Sequence, residues 1–135
     1  MSLHWYSVVV DARDIAALGR WWAETLDFVI VYESADEVVI VPRWVEAEAR
    51  VETDAEWRRQ PQGLVFVPVP EDKAVKNRLH IDLAPHLSQD RDAEVASLLA
   101  RGATKVDVGQ SDDVSWTVLA DPEGNEFCVL SSRNR

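Results

Sequence analysis

The sequence predicts an α+β fold made of two βαβββ modules, on three observations. Each half of the chain orders its patterns as strand, helix, then further strands. The last strand of each half follows a matching string, Gln60-Pro-Gln-Gly63-Leu-Val-Phe66-Val67 and Asp121-Pro-Glu-Gly124-Asn-Glu-Phe127-Cys128. Pro, Gly and Phe recur there at one spacing, which reads as an internal duplication. Finally, 135 residues suit one domain, with module 1 about 5–70 and module 2 about 77–132, burying roughly two-thirds of the unfolded surface.

In the first half, Ser7 to Val10 is a β-branched run that reads as a strand. Asp14 has the side chain of a helix N-cap, and Ile15, Leu18, Trp22 and Leu26 fall on one helical face. Asp27 stands where the helix end favours a left-handed residue. Phe28 to Tyr32 and Val38 to Val41 read as strands around the polar 33–37 turn. Residues 43–62 hold no clean period and read as a long connection with room for a helical turn. Gly63 to Val69 returns to strand, and Pro68 and Pro70 predict an edge or an ending strand.

In the second half, Arg78 to Leu83 reads as a strand with His80 and Asp82 on one face and Leu79, Ile81 and Leu83 on the other. Asp92 to Arg101 reads as a helix with Val95, Leu98 and Leu99 inward, capped by Gly102. Lys105 to Val108 is a short strand. Ser115 to Ala120 and Glu126 to Leu130 form a hairpin whose Pro122 and Gly124 suit a bulged turn.

Composition narrows the function. A net charge of −10 repels phosphate backbones and anionic lipid, and Arg58 and Arg59 are hemmed in by Glu52, Asp54 and Glu56. Nucleic-acid and membrane binding are set aside. No apolar run reaches the roughly 20 residues of a membrane span, and the N-terminal Met-Ser-Leu-His-Trp lacks the form of a secretory signal. The single cysteine, Cys128, has no internal disulfide partner, which suits a reducing, cytoplasmic setting and excludes a cysteine-rich zinc site.

The strings Lys76-Asn-Arg-Leu-His80-Ile-Asp82-Leu, Arg101-Gly-Ala-Thr104 and Trp116-Thr-Val-Leu-Ala-Asp121-Pro-Glu-Gly-Asn-Glu-Phe-Cys128-Val-Leu resemble the vicinal oxygen chelate superfamily. That group includes glyoxalase I, extradiol dioxygenases and bleomycin-resistance proteins; more narrowly, the chain resembles the glyoxalase-like proteins of actinobacteria. The first half matches more loosely, through Val8-Val-Val-Asp-Ala-Arg-Asp14 and Trp21-Trp22. The resemblance implies paired modules with curved mixed sheets around a shared cavity, a small-molecule ligand and a homodimer.

Metal-dependent members hold a divalent ion with His, Glu or Gln from the first and last strands of each module. Projected here, those positions fall on Ser7, Val67, His80 and Cys128. Val67 has no donor, and a hard cation or zinc wants several ligands. The expectation is therefore no confident cofactor: a divalent metal is disfavoured, with His80 its anchor if one binds. A register slip would bring Glu126 in beside His80 and Asp82.

His80 and Asp82 are the catalytic candidates, His80 as general base near neutrality with Asp82 orienting it; a hydrogen-bonded structural pair is the equal alternative, and Asp82 is also within reach of Arg78 on the same face. Ser7, Val67, Glu126 and Cys128 are ligand-binding candidates, against filler roles for Ser7 and a packed apolar role for Cys128. Among six tryptophans, Trp22 and Trp116 read as core and Trp21 as a rim or dimer contact. Trp44 and Trp57 are the candidates for an aromatic pocket wall. Two functions stand ahead of a third. The first is a protein that binds or sequesters an aromatic or cationic metabolite. The second is a lyase, isomerase or dioxygenase-type enzyme using His80 with a divalent metal or as base. A protein-interaction module comes third.

Overall fold

In the computed structural model, residues 3–45 and 50–135 are described. They fall into two units, Met1–Glu71 and Asp72–Arg135. In unit 1, β1 (Ser7–Ala12) leads to α1 (Ile15–Leu26), β2 (Phe28–Glu33), β3 (Val38–Pro42), the short α2 (Asp54–Arg59) and β4 (Gly63–Pro68). The sheet order is β1-β4-β3-β2. β1 and β4 run parallel from Ser7↔Gly63 to Ala12↔Pro68, while β3 is antiparallel to both its neighbours.

Local chemistry starts and stops α1. The Asp14 carboxylate accepts from Ala17 N at 3.0 Å, satisfying an N-terminal donor. Asp27 ends the helix in the left-handed region (φ 53, ψ 41), donating its N–H back to Ala23 and Glu24 carbonyls. Ile15, Leu18 and Trp22 are buried as the spacing predicts, and Leu26 is half-buried. Trp21 corrects the expectation of a rim residue: it is buried and lies edge-on to Trp22, 5.2 Å between rings. Gly19 explains how close α1 comes to the sheet, since a Cβ there would stand 2.8 Å from Val38 Cγ1. One sheet face, carrying Val38, Ile40, Leu64 and Phe66, is thus sealed under the helix.

Two open readings of this half are resolved. β4 lies inside the sheet between β1 and β3, and Pro68 occupies its last position, where a missing N–H breaks little of the ladder. The 43–62 connection carries a real helix, α2, although 46–49 lie outside the described residues. Its start is a capping box: Glu56 N donates to Thr53 Oγ1 (3.2 Å) and Thr53 N to Glu56 Oε2 (3.1 Å).

Unit 2 repeats the topology: β5 (Ile81–Leu83), α3 (Arg91–Ala100), β6 (Thr104–Lys105), β7 (Thr117–Ala120) and β8 (Glu126–Val129), in the order β5-β8-β7-β6. The outer pair is again parallel and the others antiparallel. Phe66 and Phe127, matched in the sequence repeat, are both fully buried and pair with Val10 and Ile81. Asp90 caps α3, accepting from Ala93 N (3.1 Å), so the helix begins one residue before Asp92. Val95 and Leu98 are buried, and Leu99 is half-buried. Arg91 fastens the helix to the strands, donating to the Val129 and Leu130 carbonyls and to Thr117 Oγ1 at 2.8–2.9 Å.

The hairpin forms as read. Asp121, 2% exposed, accepts from the Glu123 and Asn125 N–H groups, and Gly124 takes φ +92. Several margins differ. β5 has three residues rather than six, so Leu79 sits outside it, 89% exposed. β6 spans two residues, not the four from Lys105 to Val108. Trp116 is 41% exposed, not core, in the segment just before β7. Among the described residues, no helix is long and apolar enough to cross a membrane.

Candidate functional site

Two places gather the candidate residues, one in each unit. In unit 1, strand alternation sends Val39, Val41 and Val65 to the face opposite α1. With Ser7 and Val31 they form the floor of a cavity of about 490 Å³. The wall is aromatic. Trp57, brought there by α2, stacks on Tyr6 with rings 5.6 Å apart and 22° from parallel, and His4 meets Trp57 edge-on at 5.4 Å. Arg50, Glu52 and Gln60 supply the polar part of the lining.

Ser7 and Trp57 therefore line one cavity. Trp44 does not share it and stands 70% exposed. Val67 pairs with Asp11 and, by alternation, shares the face of Val65, but contributes only a hydrocarbon side chain. Tyr6 escaped sequence reasoning because no periodicity marks a residue just ahead of a strand. The signal for Trp57 was present in Thr53-x-x-Glu56, which announces a helix start four residues before it.

In unit 2, His80, Asp82 and Cys128 converge. His80 Nε2 lies 3.2 Å from Asp82 Oδ1. Asp82 faces Cys128 directly in the parallel β5–β8 ladder, and one ligand atom from each of the three residues lies within 4.8 Å of the others. His80 and Asp82 are about half exposed at the side chain, whereas Cys128 is buried. Burial pushes the Cys128 thiol up, and the charge and hydrogen bond of Asp82 push it further, against the opposing pull of Lys76. The resting sulfur is a protonated thiol, unsuited to nucleophilic attack. Asp82 thus pairs with His80, as the sequence reading offered beside Arg78, and also with the thiol.

Glu126 has other work. It forms an ion pair with Lys73 (2.8 Å) and accepts from Asn77 N (3.1 Å), with both charged side chains largely covered. Burial opposes its ionisation, yet the Lys73 bond and the backbone N–H donors outweigh that and hold the carboxyl below its ordinary value. Neither Lys73 nor Asn77 carries a sequence signal linking it to Glu126.

The chain belongs to the glyoxalase-like domain family, whose model matches residues 7–130. Its neighbours among solved structures lie in the glyoxalase, bleomycin-resistance and dioxygenase group, the vicinal oxygen chelate superfamily. A family enzyme of that description from Burkholderia phytofirmans aligns with a TM-score of 0.66 at 17% identity, covering 97% of this chain and 100% of that one. The fosfomycin resistance protein FosX of Mesorhizobium loti aligns at 0.62 and 12% identity, covering 94% and 90%. FosX of Listeria monocytogenes aligns at 0.66 and 11%, covering 98% and 94%. No curated protein sequence matches the chain. At such identities the structural likeness speaks for the fold alone.

The divalent ion implied by the family can be tested against these donors. The four projected positions do not make its ligand set: Val67 offers no donor, and Ser7 lines the valine-floored cavity of unit 1. The strand registers also give the first-half equivalent of His80. Val10 and Ile81 pair with the equivalent phenylalanines, so the counterpart of His80 in unit 1 is Val9, again without a donor. What unit 2 brings together is a different group, with Asp82 joining His80 and Cys128.

Proposed function

We propose that this glyoxalase-like domain binds a small aromatic or cationic organic molecule in the unit 1 cavity. One observation carries the reading: a floor of valines meets a wall of two stacked aromatic rings in a space of about 490 Å³. That volume is within the range of small-molecule sites, which are mostly apolar with a few polar groups. A rigid ring pair binds a planar ligand with little loss of side-chain freedom. Arg50 and Glu52 in the lining offset each other in formal charge, so the preference for a cationic ligand over an anionic one rests on the net charge of −10.

Thermal-shift measurements with a panel of acridine dyes and neutral planar aromatics test it. A ligand at 100 times its Kd stabilises by about 2.7 kcal/mol, enough to move the melting temperature by several degrees. Trp57→Ala, which removes half of the ring stack, should abolish the shift. A flat response across the panel, or an equal shift in Trp57→Ala, would sink the proposal.

A second reading is an enzyme, favoured by the His80–Asp82 contact of 3.2 Å, the arrangement that orients an imidazole as general base. Two of the similar structures are described as fosfomycin resistance proteins. Turnover of fosfomycin by the wild-type chain and not by His80→Ala would replace the binding reading with this one.

A further inference from the structure

We infer that the unit 1 cavity selects an aromatic zwitterion: a planar ring carrying both an ammonium and a carboxylate group, as an aromatic amino acid does. The inference rests on that cavity being the ligand site, and it adds the pair of side chains that sets the choice. Trp57 and Tyr6 give a ring its stack, while Arg50 and Glu52 place two opposite charges in the same lining. Among the described residues, no carboxylate pairs with Arg50 and no cation with Glu52. Other arginines of unit 1 are matched: Arg20 to Glu33 at 2.7 Å, and Arg43 to Asp27 and Arg58 to Asp54 at 2.8 Å. The two cavity charges are left for a ligand.

The backbone holds Glu52 close to the ring wall. Glu56 Oε2 accepts from the N–H groups of Glu52 and Thr53, each at 3.1 Å. Trp57 N in turn donates to the Thr53 carbonyl at 2.9 Å. The start of α2 thus ties the Glu52 backbone to the turn that carries the indole. Arg50 enters the lining two residues earlier, so one short stretch supplies both charges.

Mismatch decides the class as much as match does. A plain cation satisfies Glu52 but sets its charge against Arg50. A plain anion satisfies Arg50, faces Glu52, and approaches against the field of a chain with net charge −10. An uncharged ring fills the space over the valine floor and takes water from both charges without replacing it. A zwitterion answers both charges and, with no net charge, feels little of the long-range field. Arg50 and Glu52 are exposed, so each contact contributes about fivefold in affinity, the scale of a surface ion pair.

Calorimetric titration of the full chain with four indoles supplies the test: L-tryptophan, tryptamine, indole-3-propionate and 3-methylindole. L-Tryptophan should bind about five times more tightly than any of the other three. Arg50→Gln should reduce L-tryptophan to the level of tryptamine, and Glu52→Gln should reduce it to the level of indole-3-propionate. Arg59→Gln removes an equal charge from α2 outside the lining and should leave L-tryptophan binding unchanged. Arg50 and Glu52 are exposed and lie outside helix and strand, so their variants should fold, which circular dichroism checks.

Tryptamine, indole-3-propionate or 3-methylindole binding as tightly as L-tryptophan would overturn the inference while leaving the cavity a ligand site. Unchanged L-tryptophan affinity in Arg50→Gln or in Glu52→Gln would do the same, and so would an equal loss in Arg59→Gln. If none of the four bound, or if Trp57→Ala bound them all as well as the wild type, the cavity reading itself would fall with it.

Discussion

Replacing Glu126 by Gln keeps the side-chain volume and the bond from Asn77 N but removes the charge that faces Lys73. The ion pair is 2.8 Å long, with side-chain exposures of only 18% and 13%. Hydrogen bonds to charged groups contribute about 1.5–3 kcal/mol. Removing one partner of a fully buried pair costs about 3–5 kcal/mol, because the other charge is stranded. Here Lys73 keeps the Val75 carbonyl at 2.7 Å and some access to water, which places the expected loss near 2 kcal/mol at neutral pH.

The pH dependence follows from the sign of the shift. The folded carboxyl ionises below its ordinary value of 4.5. Its contribution is therefore complete above that value and is lost as pH falls through the lower, folded one. Glutamine does not titrate, so the wild-type and variant stabilities should differ by a constant amount near neutrality and converge in acid. Urea denaturation of both proteins across that range measures the gap. A difference below about 0.5 kcal/mol at neutral pH, the ordinary scatter for exposed surface changes, would refute the buried-pair reasoning. A gap that widened in acid would do so as well.

Gly19→Ala should destabilise, although alanine is the better helix former by about 1 kcal/mol. The new methyl meets Val38 Cγ1 at 2.8 Å, and overpacking of this kind costs about 1–3 kcal/mol; a higher melting temperature in the single variant would contradict the close approach of α1 to the sheet, and Val38→Ala in the same chain should relieve the clash. Asp121→Ala should cost about 2–3 kcal/mol, since it orphans the Glu123 and Asn125 N–H groups in a covered turn. Hydrogen exchange at Asn125 reads this directly: protection as in the wild type would show that the carboxylate is dispensable there.

The sequence by itself determined the fold class, because its evidence is local and repeated. A capping aspartate, a 3.6-residue apolar stripe and a Pro-Gly turn each act over a few residues, and Asp14, the α1 face and the Asp121–Gly124 turn all stand where they were read. The duplicated Pro-Gly-Phe spacing carried the topology, since two copies of one local code build two sheets of one strand order. Alternation even placed His80 beside Asp82.

Partners distant in the chain were decided by the tertiary structure. Cys128 joins that pair only through the register of β5 against β8, and a ladder register is a long-range choice that no single strand encodes. Glu126, two residues away on the same strand, was the candidate if the register slipped, but Lys73 and Asn77 take it. Trp44 and Trp57 looked alike in an aperiodic segment until α2 turned one onto Tyr6 and left the other on the surface. Periodicity tells which face of its own element a side chain occupies; the groups it meets there depend on how separate elements are laid together.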